Sequence, residues 1–117
     1  MRKIKFKAKR TDNSAWVKGD LIHLIDGVYI CNNYGCYMIR VDPSTVCQFT
    51  GLIDCDGKYI YEGDILAEKE YPVFEVGYID GEFAAAYVGD DKFIFNLLAL
   101  SKTCTVCGSK FDRKEGE

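Results

Sequence analysis

Three Asp-Gly pairs constrain this chain more than any other feature of its sequence: Asp26-Gly27, Asp56-Gly57 and Asp80-Gly81. Each lies between runs in which apolar, β-branched or aromatic residues alternate with polar ones. Asp-Gly suits a type I′ turn, whose two central residues both need positive φ, so each pair predicts a β-hairpin. The clearest case is PVFEVGYID followed by GEFAAAYVG, with arms of ordinary strand length. Alternation of this kind covers 3–9, 20–25, 27–31, 35–41, 58–61, 72–79, 82–88 and 92–95. Helical signal is scarce. Asp42-Pro43-Ser44-Thr45 can open a single turn with Asp42 as its cap, and FNLLALSK is long enough for one or two turns, or for a strand. Many short strands between regular turn signals predict a mainly β chain with very little helix, built as a small barrel or roll.

With 117 residues, this is one domain or at most two very small ones sharing a core. No apolar run approaches the ~18 residues of a membrane span, and the first residues lack a signal peptide's apolar middle, so the expected location is the cytoplasm. There the six cysteines (Cys31, Cys36, Cys47, Cys55, Cys104, Cys107) are expected to stay reduced.

Charge is unevenly placed. Arg2, Lys3, Lys5, Lys7, Lys9 and Arg10 supply six of the 15 basic residues, whereas residues 11–117 carry nine basic and 18 acidic groups. An acidic body repels phosphate, which disfavours broad nucleic-acid coating. The basic strip alternates with Ile4, Phe6 and Ala8, the period of a half-buried strand with its lysines toward solvent. These six cations are the candidate nucleic-acid contact, and a solvated face is the plainer account of them.

The motifs IKFKAK and WVKGDLIH, then VDPSTVCQFTGLIDCDGKYIYEGDIL and FEVGYID, resemble the YopX family, whose members are encoded largely by bacteriophages and prophages. The resemblance is densest over 41–66, in Gln48-Phe49-Thr50-Gly51 and Tyr61-Glu62-Gly63-Asp64. It implies an SH3-like barrel or roll over 46–112, with an N-terminal β segment over 1–45 packed against it. A frayed tail follows at 113–117, and the whole is expected to fold as one cooperative unit. It implies no activity. Gly63 between two acids suits a tight bend from the Tyr59–Tyr61 strand into Ile65-Leu66.

The chemical candidates are few. Cys104-Thr105-Val106-Cys107-Gly108 resembles half of a zinc knuckle, which Cys31 and Cys36 could complete. The family resemblance instead puts VCGSKFDRKE in the place of a terminal strand, with Cys107 as a small buried hydrophobe. The one histidine, His23, has no nucleophile signature beside it. The acid pairs Asp54/Asp56, Glu62/Asp64 and Asp90/Asp91 read as solvated turn acids, and Tyr59, Tyr61, Tyr71 and Tyr78 as partly exposed rings. No glycine-rich phosphate loop occurs. The expected function is therefore non-catalytic, with no cofactor, no resident metal and no small-molecule substrate. Its partner is expected to be another protein or a second copy. Nucleic-acid binding through the basic strand and a zinc-stabilised module are the alternatives. The eight motif residues are expected to act structurally.

Overall fold

The computed structural model describes residues 5–32, 37–69 and 71–112. The chain is mainly β, with ten strands, two 3₁₀ turns and one short α-helix among the described residues. It divides into two compact units, residues 1–49 and 50–117. Of the expected features, Arg2, Lys3, Ile4, Cys36 and the tail over 113–117 lie outside the described residues.

In the first unit, β1 (Phe6–Lys9), β2 (Trp16–Leu24), β3 (Gly27–Cys31) and β4 (Met38–Val41) form an antiparallel run in the order β4-β3-β2-β1. The first residues of β5 (Cys47–Ile53) pair with β1, Phe6 opposite Gln48 and Lys7 opposite Cys47. The end of β1 also reaches β4. Asp42 N–H donates to the Lys9 carbonyl at 2.8 Å and Thr11 N–H to the Arg40 carbonyl at 3.2 Å, around an Arg10–Val41 bridge. These bonds cover the outer edge of β4 at Arg40 and Asp42, an edge that would otherwise present unpaired backbone groups. Ala8, Ile30 and Val41 form the core of this unit, with Phe6, Val17 and Leu21 packed on it. Between β4 and β5 the expected turn is present as a 3₁₀ turn over Pro43–Thr45. The Asp42 carboxylate caps it by accepting from Ser44 N–H at 3.0 Å.

In the second unit, the rest of β5 pairs with β6 (Tyr59–Tyr61). A separate four-stranded sheet runs β10-β7-β8-β9, from β7 (Asp64–Glu68), β8 (Tyr71–Ile79), β9 (Glu82–Tyr87) and β10 (Thr105–Ser109). Ile60, Leu66, Phe74, Val76, Ala85, Leu97 and Cys104 form its core. Full burial of side chains such as Leu66 and Val76 stabilises the unit by about 1.5–3 kcal/mol each. FNLLALSK becomes α1 (Leu97–Ser101), capped by Asn96, whose side chain accepts from Ala99 N–H at 3.1 Å.

The Asp-Gly pairs behave in three ways. At Asp80-Gly81 both residues have positive φ, 51° and 85°, and Ile79 pairs with Glu82 across the turn. This is the expected two-residue hairpin. At Asp26-Gly27 the hairpin exists but the turn sits one residue earlier, because Gly27 already pairs with Leu24 and neither Asp26 nor Gly27 has positive φ. At Asp56-Gly57 only the glycine is left-handed, at 85°, and the loop is organised by Asp54 instead.

Three strands lie outside the alternating stretches, β5, β7 and β10, and in β5 Gly51 interrupts the pattern with φ of 88°. The stretch 92–95 forms only a single bridge, Phe95 to Ala85.

Candidate functional site

The motif residues are held by local main-chain chemistry. Gln48 pairs with Phe6, and Phe49 is buried and donates its N–H to the Lys5 carbonyl at 2.7 Å. Thr50 is buried in the second unit. Its Oγ1 donates to the Ile60 carbonyl at 2.8 Å and accepts from Leu52 N–H at 3.2 Å, which ties β5 to β6. Tyr61-Glu62-Gly63-Asp64 is the expected tight bend. Gly63 has φ of 85°, as the third residue of a type II turn requires, and it donates to the Val76 carbonyl at 2.8 Å.

Two of the acids are not solvated turn residues, which corrects the sequence reading. Asp64 is 0% exposed and accepts from Tyr61 N–H at 2.8 Å. Tyr61 is likewise buried, and burial together with the nearby Asp64 charge pushes its hydroxyl up to about 12. Asp54 is 4% exposed. Its Oδ1 accepts from Asp56 N–H and Lys58 N–H, both at 2.8 Å, and its Oδ2 from Val106 N–H at 2.8 Å. Burial alone would raise this carboxyl's pKa, but three amide donors outweigh it and hold the group below the ordinary carboxylate value. Asp56, Asp90 and Asp91 are exposed as expected, as are Tyr59 and Tyr78, while the Tyr71 side chain lies outside the described residues.

The basic strand is more occupied than its alternation suggested. Lys7 is only 9% exposed, and its Nζ lies 4.6 Å from the centre of the Trp16 ring, with Lys9 Nζ at 5.4 Å. Lys9 and Trp16 are directly opposite in the β1–β2 register, which accounts for the stacking. Arg10 makes a bidentate pair with Asp12 at 2.9 and 2.7 Å. Trp16 opens β2 four residues before the alternating stretch at 20–25 begins, so alternation gives no signal for it.

The CxxC cysteines do not converge. Cys104 is buried in the core of the second unit, while Cys107 is exposed, not buried as expected, and its Sγ donates to the Ile65 carbonyl at 3.4 Å. A bulge between Val106 and Gly108 turns Cys107 outward. Burial, with smaller contributions from Glu68 and Cys55, pushes the Cys104 thiol up in pKa against the opposing effect of its hydrogen bond with Thr103. Among the described residues no three His, Cys, Asp or Glu side chains are placed to hold a metal ion. His23 is exposed on β2. No helix of the described residues is long and apolar enough to cross a membrane.

What the second unit does present is an open groove of about 420 Å³ between β9 and the segment 93–98, in which apolar side chains stand among polar ones, Thr50 and Asn96 included. Leu52, Phe83, Phe93, Ile94 and Leu98 line it, with Glu82 at the rim. Ile94 is 76% exposed and Leu98 52%. Phe93 reaches its place because Gly77 has no side chain, since a Cβ there would lie 2.5 Å from the Phe93 ring. Phe95 is fixed beside β9 by two main-chain bonds with Ala85, at 3.1 and 3.0 Å. The first unit has an opening of similar size, about 440 Å³, but it is lined by Arg10, Asp12 and Arg40 together with Tyr37 and Met38.

Against known proteins, the family model described as YopX protein matches residues 3–115, nearly the whole chain. No curated protein matches it.

Proposed function

The chain belongs to the YopX family, and from that premise we propose that it is a non-catalytic binding module that works by holding a partner polypeptide. The observation that carries this reading is the groove beside β9, where Ile94 and Leu98 stand largely in solvent although each costs free energy there. Apolar side chains gathered around a concave surface are the usual anchor of a protein–protein contact. The reactive side chains, by contrast, are dispersed: His23 is on the first unit's β2, Cys104 is in a core, and Asp54 and Asp64 are consumed by backbone amides. Under this reading the protein acts in the cytoplasm of a bacterial host as a phage or prophage accessory factor.

The test is a pair of variants, Ile94→Asp and Leu98→Asp, compared with wild type in affinity capture from lysogenic or infected cells. Both sites are exposed, so melting should stay near the wild-type value. Loss of the same captured protein in both variants supports the reading. Full retention in both overturns it.

A further inference from the structure

We infer that the groove takes an extended polypeptide segment, added as a short strand to the β9 edge at Phe83, with apolar side chains alternating with lysine or arginine. This deepens the proposal above and rests on it.

The argument begins with the register of β9. Ala85 exchanges both main-chain bonds with Phe95 and so faces away from β8. Backbone direction alternates along a strand, so Phe83, two residues earlier, directs its N–H and carbonyl the same way. The side chains agree. Tyr78 and Phe83 are opposite each other, and their rings meet edge to face at 4.8 Å, the closer approach of a pair that exchanges no main-chain bonds. A donor and an acceptor therefore stand side by side on the wall of a groove that also presents the apolar side chains of Leu52, Ile94 and Leu98. An extended backbone satisfies both at once, whereas a helix face, whose own amides are bonded internally, satisfies neither.

The site's length follows from what bounds it. Phe95 occupies the edge at Ala85, and the Asp80-Gly81 turn ends β9 at the other side. Three or four residues of a guest strand fit between them. Side chains on one face of the guest would meet Leu52, Ile94 and Leu98. Those at the rim would meet Glu82, in a unit that carries 14 acidic and seven basic residues. A cationic rim residue is the complement.

The experiment pans a random decapeptide phage library against the full chain and measures the enriched peptides by fluorescence anisotropy. The expected enriched pattern alternates apolar and basic residues. N-methylation of the one guest residue paired with Phe83 should weaken binding about tenfold, since it removes a donor and obstructs the edge, while methylation at neighbouring positions does so far less. The Phe83 amide resonance should shift on titration, and Glu82→Lys should weaken lysine-bearing peptides. Binding that is indifferent to N-methylation but lost in Ile94→Asp overturns strand addition and leaves the groove reading standing. Binding indifferent to both Ile94→Asp and Leu98→Asp overturns both, as does an absence of enrichment over the Leu98→Asp chain. Concentration-dependent dimerisation in sedimentation that disappears in Ile94→Asp would make a second copy the occupant and overturn the inference.

Discussion

Asp54 and Val106 lie 52 residues apart in the chain, yet the Asp54 Oδ2 accepts the Val106 amide at 2.8 Å. Beside it, Cys55 N–H donates to the Cys104 carbonyl at 3.2 Å. A side-chain oxygen thus stands in for a strand partner on the outer edge of β10, while the other carboxylate oxygen shapes the 55–58 loop. One buried charge organises both ends of the second unit.

Asp54→Ala should therefore cost about 3 kcal/mol, because three partly buried amides lose a charged acceptor. The carboxyl's pKa is depressed in the folded state, so its stabilisation is full above the unfolded value near 3.8 and is lost as pH falls through the lower, folded value. Urea midpoints measured from neutral pH down to about pH 2.5 should fall less steeply in Asp54→Asn than in wild type. Parallel acid limbs would contradict the assignment.

Tyr61 predicts the opposite limb. Its hydroxyl is raised from 10.0 to about 12 by burial and by the Asp64 charge. Folding then favours the neutral phenol, a contribution complete below the unfolded value and lost as pH rises toward the folded one. Tyr61→Phe should flatten the alkaline loss of stability across that interval, measured as the difference from wild type so that lysine titration cancels.

Gly51 and Gly77 should both resist alanine, for different reasons. At Gly51 an added Cβ meets nothing within 4 Å, and the cost, about 1–2 kcal/mol, comes from φ of 88°. At Gly77 the φ is unremarkable, and the cost, about 1–3 kcal/mol, comes from the Phe93 ring 2.5 Å away. A double-mutant cycle separates them: Phe93→Ala should relieve Gly77→Ala and leave the Gly51→Ala penalty unchanged. Unaltered melting of Gly51→Ala would remove the structural role given to the Gln48–Gly51 motif.

The thiols should differ in reactivity. Cys55 and Cys107 are exposed, while Cys104 is buried with a raised pKa. Alkylation of the native chain, followed by mass spectrometry, should mark the first two well before Cys104, which reacts only on unfolding. Elemental analysis should find less than about 0.1 zinc per chain, because a structural site would bind near stoichiometry.

The basic strand should not confer ordinary nucleic-acid affinity. Arg10 is paired with Asp12, and Lys7 and Lys9 lie over Trp16. A single-stranded DNA titration at low salt should stay flat. A strong shift that weakens with salt and disappears in a Lys5→Ala, Lys9→Ala chain would restore the alternative.

What the sequence determined by itself was whatever is decided within a few residues. Alternation predicted β strands, Asp80-Gly81 predicted its turn because both residues tolerate positive φ, Asp42 marked its bend through a local bond, and Gly63 marked its own through a positive φ. The motifs over 41–66 also made the family legible. Tertiary structure alone decided the rest. Asp54 and Asp64 are buried, Lys7 is covered, Cys107 faces out and β5 exists despite Gly51. The reason is range. A charge can be buried only where amides gather around it, and the Val106 amide is brought to Asp54 by the fold and not by the chain between them. The groove beside β9 arises in the same way, from the placement of Phe93 over Gly77 and of Phe95 against Ala85, contacts that no periodicity encodes.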